Sequence, residues 1–249
     1  MNGKFASVAP CALVPWPGTM PEPGEHPAMA GAEEVVVMLH GLTRTRGSLR
    51  RLERRLSREG FRIVNLAYPS NRFSIDTLVD GALADIVARC CQVPGTTVHF
   101  VTHSVGGIVV RRYLQRHPLP NLGRVVMLTP PNQGAELADR FSNARLFRLI
   151  HGPAGQQLAT GADSFIASLG PVTFELGIIA GNRSLNPLFS RLIPGPDDGI
   201  IAVDRTRVDG MTAHIVVPYS HTFIMYHGPV IQQVIHFLRT GTFTAPDMD

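Results

Sequence analysis

Six short runs rich in Val, Ile and Leu are separated by stretches whose apolar residues recur with helical spacing, and this alternation limits the available folds more than any other feature. The runs are VVVML from Val35, FRIVNLAYPS from Phe61, TTVHFVTHS from Thr96, RVVMLTPP from Arg124, FELGIIAG from Phe174 and AHIVVPYS from Ala213. Between them the spacing predicts helices over about 48–59, closed by Gly60, over 74–91, and over 105–116, ended by Pro118. A last helix is opened by Pro229 and stopped by Gly241. Strands that alternate with helices require crossover connections, so the expected class is α/β, a mostly parallel central sheet with helices on both faces.

The rhythm divides the chain. Residues 1–32 are rich in Pro, Gly and Ala and predict an extended lead, residues 33–243 a single domain, and residues 244–249 a tail. Within the domain, residues 134–170 break the alternation with short helical pieces, and they predict a short cap or lid insertion over the carboxyl edge of the sheet. With 249 residues, 44% hydrophobic and only 17% charged, the chain can bury a large core.

Charge and cysteine usage narrow the partners. Lys4 is the only lysine, and a net charge of +4 carried by arginine is too mildly basic to point to nucleic acid. The densest basic stretch, RTRGSLRRLERRLSREG, places Leu49, Leu52 and Leu56 on one helical face and arginines on the other, a solvated face rather than an anionic-surface binder. Cys11 stands apart from the adjacent Cys90 and Cys91, a pattern of reduced thiols rather than a disulfide framework. Pro10, Pro15 and Pro17 interrupt any export signal near the start, and no run reaches the roughly 18 apolar residues of a membrane span. The expected location is cytoplasmic, with peripheral membrane contact compatible and a transmembrane segment not expected.

Ser104 stands where the third run must turn into a helix, at the carboxyl edge of the sheet, where open parallel sheets bind ligands. Taken alone, a serine there serves equally as a helix N-cap or as a nucleophile. Its neighbours read Thr102-His103-Ser104-Val105-Gly106, and with HGL at 40–42 and LTPPNQGAE at 128–136 the chain resembles the bacterial lipase and esterase branch of the α/β-hydrolase superfamily. The motif departs from G-x-S-x-G at Thr102, where a β-branched side chain adds crowding.

The resemblance implies the α/β-hydrolase fold and a set of roles. Ser104 would be the nucleophile, with the Leu42 and Val105 amides holding the oxyanion and His40 packing the turn. Asn132 would shape the pocket floor. The family order of Ser, acid, His selects Asp198, directly before Gly199, over its nearest rival Asp197 and over Asp204 and Asp209, and selects His221 as the base, leaving His214 and His227 structural. His103, Leu146 and Phe147 are expected to contact substrate; the apolar surplus of 134–170 either lines an acyl slot or closes the core.

The activity so implied is hydrolysis of carboxylic esters or lipids through an acyl-enzyme, and the 134–170 segment, too small for a large mobile lid, points to short to medium acyl length. An acyltransferase or thioesterase would use the same triad, and a non-catalytic ligand-binding member would share only the fold. No cofactor and no metal are expected, although some lipases resembling this branch hold calcium near the acid loop.

Overall fold

A computed structural model describes residues 33–91 and 94–244. The expected lead over 1–32, Cys11, the side chains of Cys90 and Cys91, and positions 245–249 of the expected tail lie outside the described residues.

All six apolar runs form strands: β1 (Glu34–Leu39), β2 (Arg62–Asn65), β3 (Thr97–His103), β4 (Leu122–Leu128), β5 (Leu176–Gly181) and β6 (Ala213–Val217). They pair in parallel in the order β2-β1-β3-β4-β5-β6. The strands read as continuous apolar runs because both of their faces are covered.

On one face, Val35, Val37, Leu39, Phe100, Val125, Met127 and Ile178 form a core with a helical stretch and with α4 (Val105–Arg116). That stretch runs from α2 (Ile75–Leu78) through a π turn at Val79–Leu83 into α3 (Ala84–Cys91). On the other face, Val36, Met38, Val101, Val126, Leu128 and Ile179 pack against α1 (Arg50–Arg58) and α8 (Gly228–Thr240). Leu49, Leu52 and Leu56 are fully buried, so the apolar stripe of the arginine-rich helix faces the sheet as its spacing predicts.

Segments between β4 and β6 carry α5 (Glu136–Phe141), α6 (Arg145–Gln156) and the short α7 (Pro187–Ser190); of these, α7 lies where the sequence reading placed no helical piece. Among the described residues, no helix is long and apolar enough to cross a membrane.

Candidate active site

The sheet order reverses between β1 and β3. From β1 the chain moves outward to β2 and then returns to add β3 on the other side, leaving a crevice at the carboxyl ends of these neighbours. Leu39 pairs with Thr102, so the loops that follow, His40-Gly41-Leu42 and His103-Ser104, lie side by side. The contact is close: a Cβ added to Gly41 would lie 2.9 Å from His103 Nδ1 and 3.0 Å from Ser104 Cβ.

Ser104 joins β3 to α4 with φ 55° and ψ −128°, a left-handed conformation that costs energy in a residue with a side chain. Its amide donates to Leu128 O, but its side chain makes no capping bond to the helix. The N-cap explanation of this serine therefore has no hydrogen bond to support it. The tight turn depends on Gly106, where an added Cβ would meet Leu39 O at 2.7 Å. Thr102 is accommodated without exposure, its Oγ1 lying 3.3 Å from where Gly107 would carry a Cβ, so the crowding expected of a β-branched residue is absorbed by the glycine above it.

Asp198 and His221 meet although 23 residues separate them. The His221 Nδ1–H donates to Asp198 Oδ2 at 2.8 Å, and the His221 amide donates to Asp198 O at 3.0 Å. The other carboxylate oxygen, Oδ1, accepts the Ile200 and Ile201 amides, so every bond orients Asp198 toward the ring. Asp197 points elsewhere: its Oδ1 accepts the Gly199 amide and the Ser190 hydroxyl. The loop after β6 reaches the pair by crossing the end of β5, where Gly181 leaves room; a Cβ there would lie 2.3 Å from Tyr219 O and 3.0 Å from Asp198 Cβ. With Nδ1 protonated toward Asp198, His221 keeps Nε2 as a proton acceptor.

His103 is 1% exposed and lies beneath the site rather than on its surface. Its ring sits 4.9 Å from that of His221, and its Nε2–H donates to the His221 carbonyl at 2.9 Å. Burial, with the neighbouring His221 second, holds this imidazole well below the ordinary histidine value. A neutral ring can brace a base without competing for its proton.

The 40–42 loop is held from outside. Tyr68 donates its hydroxyl to His40 O, Ser70 donates to Gly41 O at 3.2 Å, and the His40 ring stacks on Tyr68 at 4.4 Å while its Nδ1–H reaches Gly41 O. Burial lowers the His40 pKa and raises that of Tyr68, so both stay neutral and the tyrosine stays a donor. Sequence reasoning overlooked Tyr68 and Ser70, because two polar residues after β2 give no sign that they fold back onto the loop after β1.

Residues 134–170 contain α5 and α6 and dock beside this loop. Gly155 approaches Leu42, Asn71 Nδ2 donates to Ile150 O at 3.0 Å, and the Ile75 amide donates to Gln157 Oε1 at 2.7 Å. Leu146 and Phe147 separate in role: Leu146 is 66% exposed, whereas Phe147 is half-buried against the core and the His151 ring. Asn132 is buried, and Arg111 on α4 donates to its backbone and side-chain oxygens and to Gly170 O. One buried guanidinium thus ties both ends of the insertion to the helix that follows Ser104. Nothing in the sequence distinguished Arg111 from its neighbour Arg112, which pairs with Asp76 at 2.6 Å.

A family model described as the Alpha/beta hydrolase family matches residues 36–228. Among solved structures, the mature form of lipase BlEst2 from Bacillus licheniformis aligns with TM-score 0.66 and 19% identity, over 88% of this chain and 95% of that one. Phospholipase PlaB from Legionella pneumophila, in complex with thio-NAD, aligns with TM-score 0.66 and 19% identity, over 86% of this chain and 59% of that one. The metagenomic carboxyl esterase MGS0156 aligns with TM-score 0.53 and 18% identity, over 81% and 69%. At these identities the likeness is one of fold. No curated protein sequence matches the chain.

Proposed function

Because the chain belongs to the alpha/beta hydrolase family, we propose that it is a serine hydrolase that cleaves carboxylic esters, with Ser104, His221 and Asp198 as its triad and residues 33–243 as one catalytic domain capped by 134–170. The observation that carries this reading is the buried 2.8 Å bond between His221 and Asp198, with the His221 ring 4.9 Å from that of His103, the residue that precedes a serine held at positive φ.

His221 Nε2 takes the Ser104 proton as Oγ bonds to the ester carbonyl carbon. The oxyanion so formed accepts the Leu42 and Val105 amides; the latter opens α4 and has no partner four residues back. As the carbonyl re-forms, the carbon–alkoxy bond breaks and His221 returns the proton to the departing alcohol. Water then gives a proton to His221 while its oxygen attacks the acyl-enzyme, releasing the acid and restoring the Ser104 hydroxyl. Asp198 holds the tautomer and faces the imidazolium throughout.

His103 acts as a positioning residue through the His221 carbonyl. Short to medium acyl chains are the fitting substrates, since exposed Leu146 and Leu149 on α6 and Leu188 on α7 offer apolar surface beyond the strand ends. Fluorophosphonate labelling tests the reading directly. The adduct should map to Ser104, and Ser104→Ala should abolish both labelling and ester turnover, the latter by a factor of about 10³ or more. A folded Ser104→Ala protein that still hydrolyses esters at the parent rate would overturn it.

A further inference from the structure

The arginine-rich stretch at 44–50 does more than cover a helix. It bounds an open surface depression of about 500 Å³ lined by Arg44, Arg46 and Arg50 together with His40 and Tyr68. That is the size of a small-molecule site. Among the described residues, eight of the 22 arginines have a carboxylate within 4.0 Å, Arg62 with Glu33, Arg112 with Asp76, Arg124 with Glu175 and Arg205 with Glu136 among them. Among the described residues, none of the three cavity arginines has such a partner within 4.0 Å. Glu53, the nearest acid in sequence, is taken by the Asn65 amide at 2.7 Å.

The cavity adjoins the site. His40 and Arg44 flank Leu42, and the Arg44 amide donates to Gly41 O at 3.3 Å, closing the turn around it. The chain from Leu42 to Arg46 spans no more than about 14 Å. The charge of Arg44 is also felt at His103, beneath Ser104. Guanidinium groups match phosphate oxygens in pairs, and three arginines lining one open depression, Arg44 half-buried and Arg46 and Arg50 exposed, attract a multiply charged anion more than a single carboxylate.

We propose that this cavity binds phosphate, and that it receives a phosphate group carried by the ester substrate, so that Arg44, Arg46 and Arg50 select phosphorylated esters. The assignment to substrate rests on the esterase reading above; the anion site itself does not.

The test compares hexanoyl glycerol phosphate with hexanoyl glycerol, and separately titrates inorganic phosphate into Ser104→Ala protein by calorimetry. Wild type should prefer the phosphorylated ester in kcat/KM. That preference should fall by about tenfold or more for each of Arg44→Gln, Arg46→Gln and Arg50→Gln, and phosphate binding should weaken in parallel. Arg54→Gln, on α1 with Arg50 but outside the cavity, should keep the preference, which separates a local site from a general loss of positive charge. Equal rates on the two esters, with phosphate binding that depends on the arginines, would overturn the assignment to substrate and leave a site for free phosphate. Phosphate heats that ignore all three substitutions would overturn the site. Arginine-dependent phosphate binding in a protein that hydrolyses neither ester would sink the esterase reading while retaining the anion site.

Discussion

Asp197 and Asp198 are adjacent, equally acidic in composition, and opposite in use. Asp198 gives one oxygen to His221 and the other to two amides, whereas Asp197 closes a turn through Gly199 and holds Ser190. Asp198→Asn would present an amide where His221 needs an acceptor, favouring the wrong tautomer, so esterase turnover should fall by about 10² to 10⁴ with the fold retained. Asp197→Asn keeps an acceptor oxygen for its turn and should stay near the parent rate. Steady-state kinetics of the two variants, beside their thermal melts, decide between them; greater damage at Asp197 would move the acid by one position. The motif spacing favoured Asp198 in the sequence because it directly precedes Gly199. Tyr68, Ser70 and Arg111 were not legible there, since their importance lies in carbonyls they reach across the sheet's edge, and no local pattern marks an acceptor that is distant in sequence.

At the scale of elements, strands and long helices were legible because each buries a face whose period can be read. Even the stop signals agree, since Gly60 and Gly241 adopt the positive φ that ends α1 and α8. The insertion was less legible, because α6 shows apolar residues on more than one side. Its packing now separates them: Phe147→Ala removes a half-buried ring and should cost about 1–3 kcal/mol of stability, whereas the exposed Leu146→Ala should cost no more than about 0.5. If α6 borders the acyl path, Leu146→Ala should instead change the ratio of rates between short and longer acyl esters. Urea unfolding and an ester panel would show this division, and losses of stability at both positions with no change in acyl preference would assign the whole helix to core packing. Gly152 gives a sharper probe of docking. It sits at φ 60° with its missing Cβ only 1.6 Å from Asn71 O, so Gly152→Ala should displace the insertion from the 69–75 loop, seen as faster amide exchange across 145–157.

The parallel sheet gathers histidines as well as Ser104 and Asp198, because four of them are drawn into or beside the core. His40, His99 and His103 are 2% exposed or less, and burial is the largest cause lowering the pKa of each. His214, bonded to the Thr206 hydroxyl, is brought down to about 4, again mainly by burial. In the unfolded chain these rings titrate near the ordinary value of about 6.5, so below that pH the unfolded state binds more protons than the folded one. Stability therefore rises with pH across this window and is lost as the pH falls from about 6.5 toward about 4, where His214 itself takes up its proton in the folded state. The urea midpoint should accordingly be lower at about pH 5 than at about pH 7.5, at fixed ionic strength, with most of the change below about pH 6.5. His214→Gln keeps a hydrogen-bonding side chain without the titration and should flatten the lower part of that dependence. A midpoint that is level or rising toward acid would mean that the buried rings already carry their protons in the folded protein, and that the neutral state assigned to His103 under His221 is wrong.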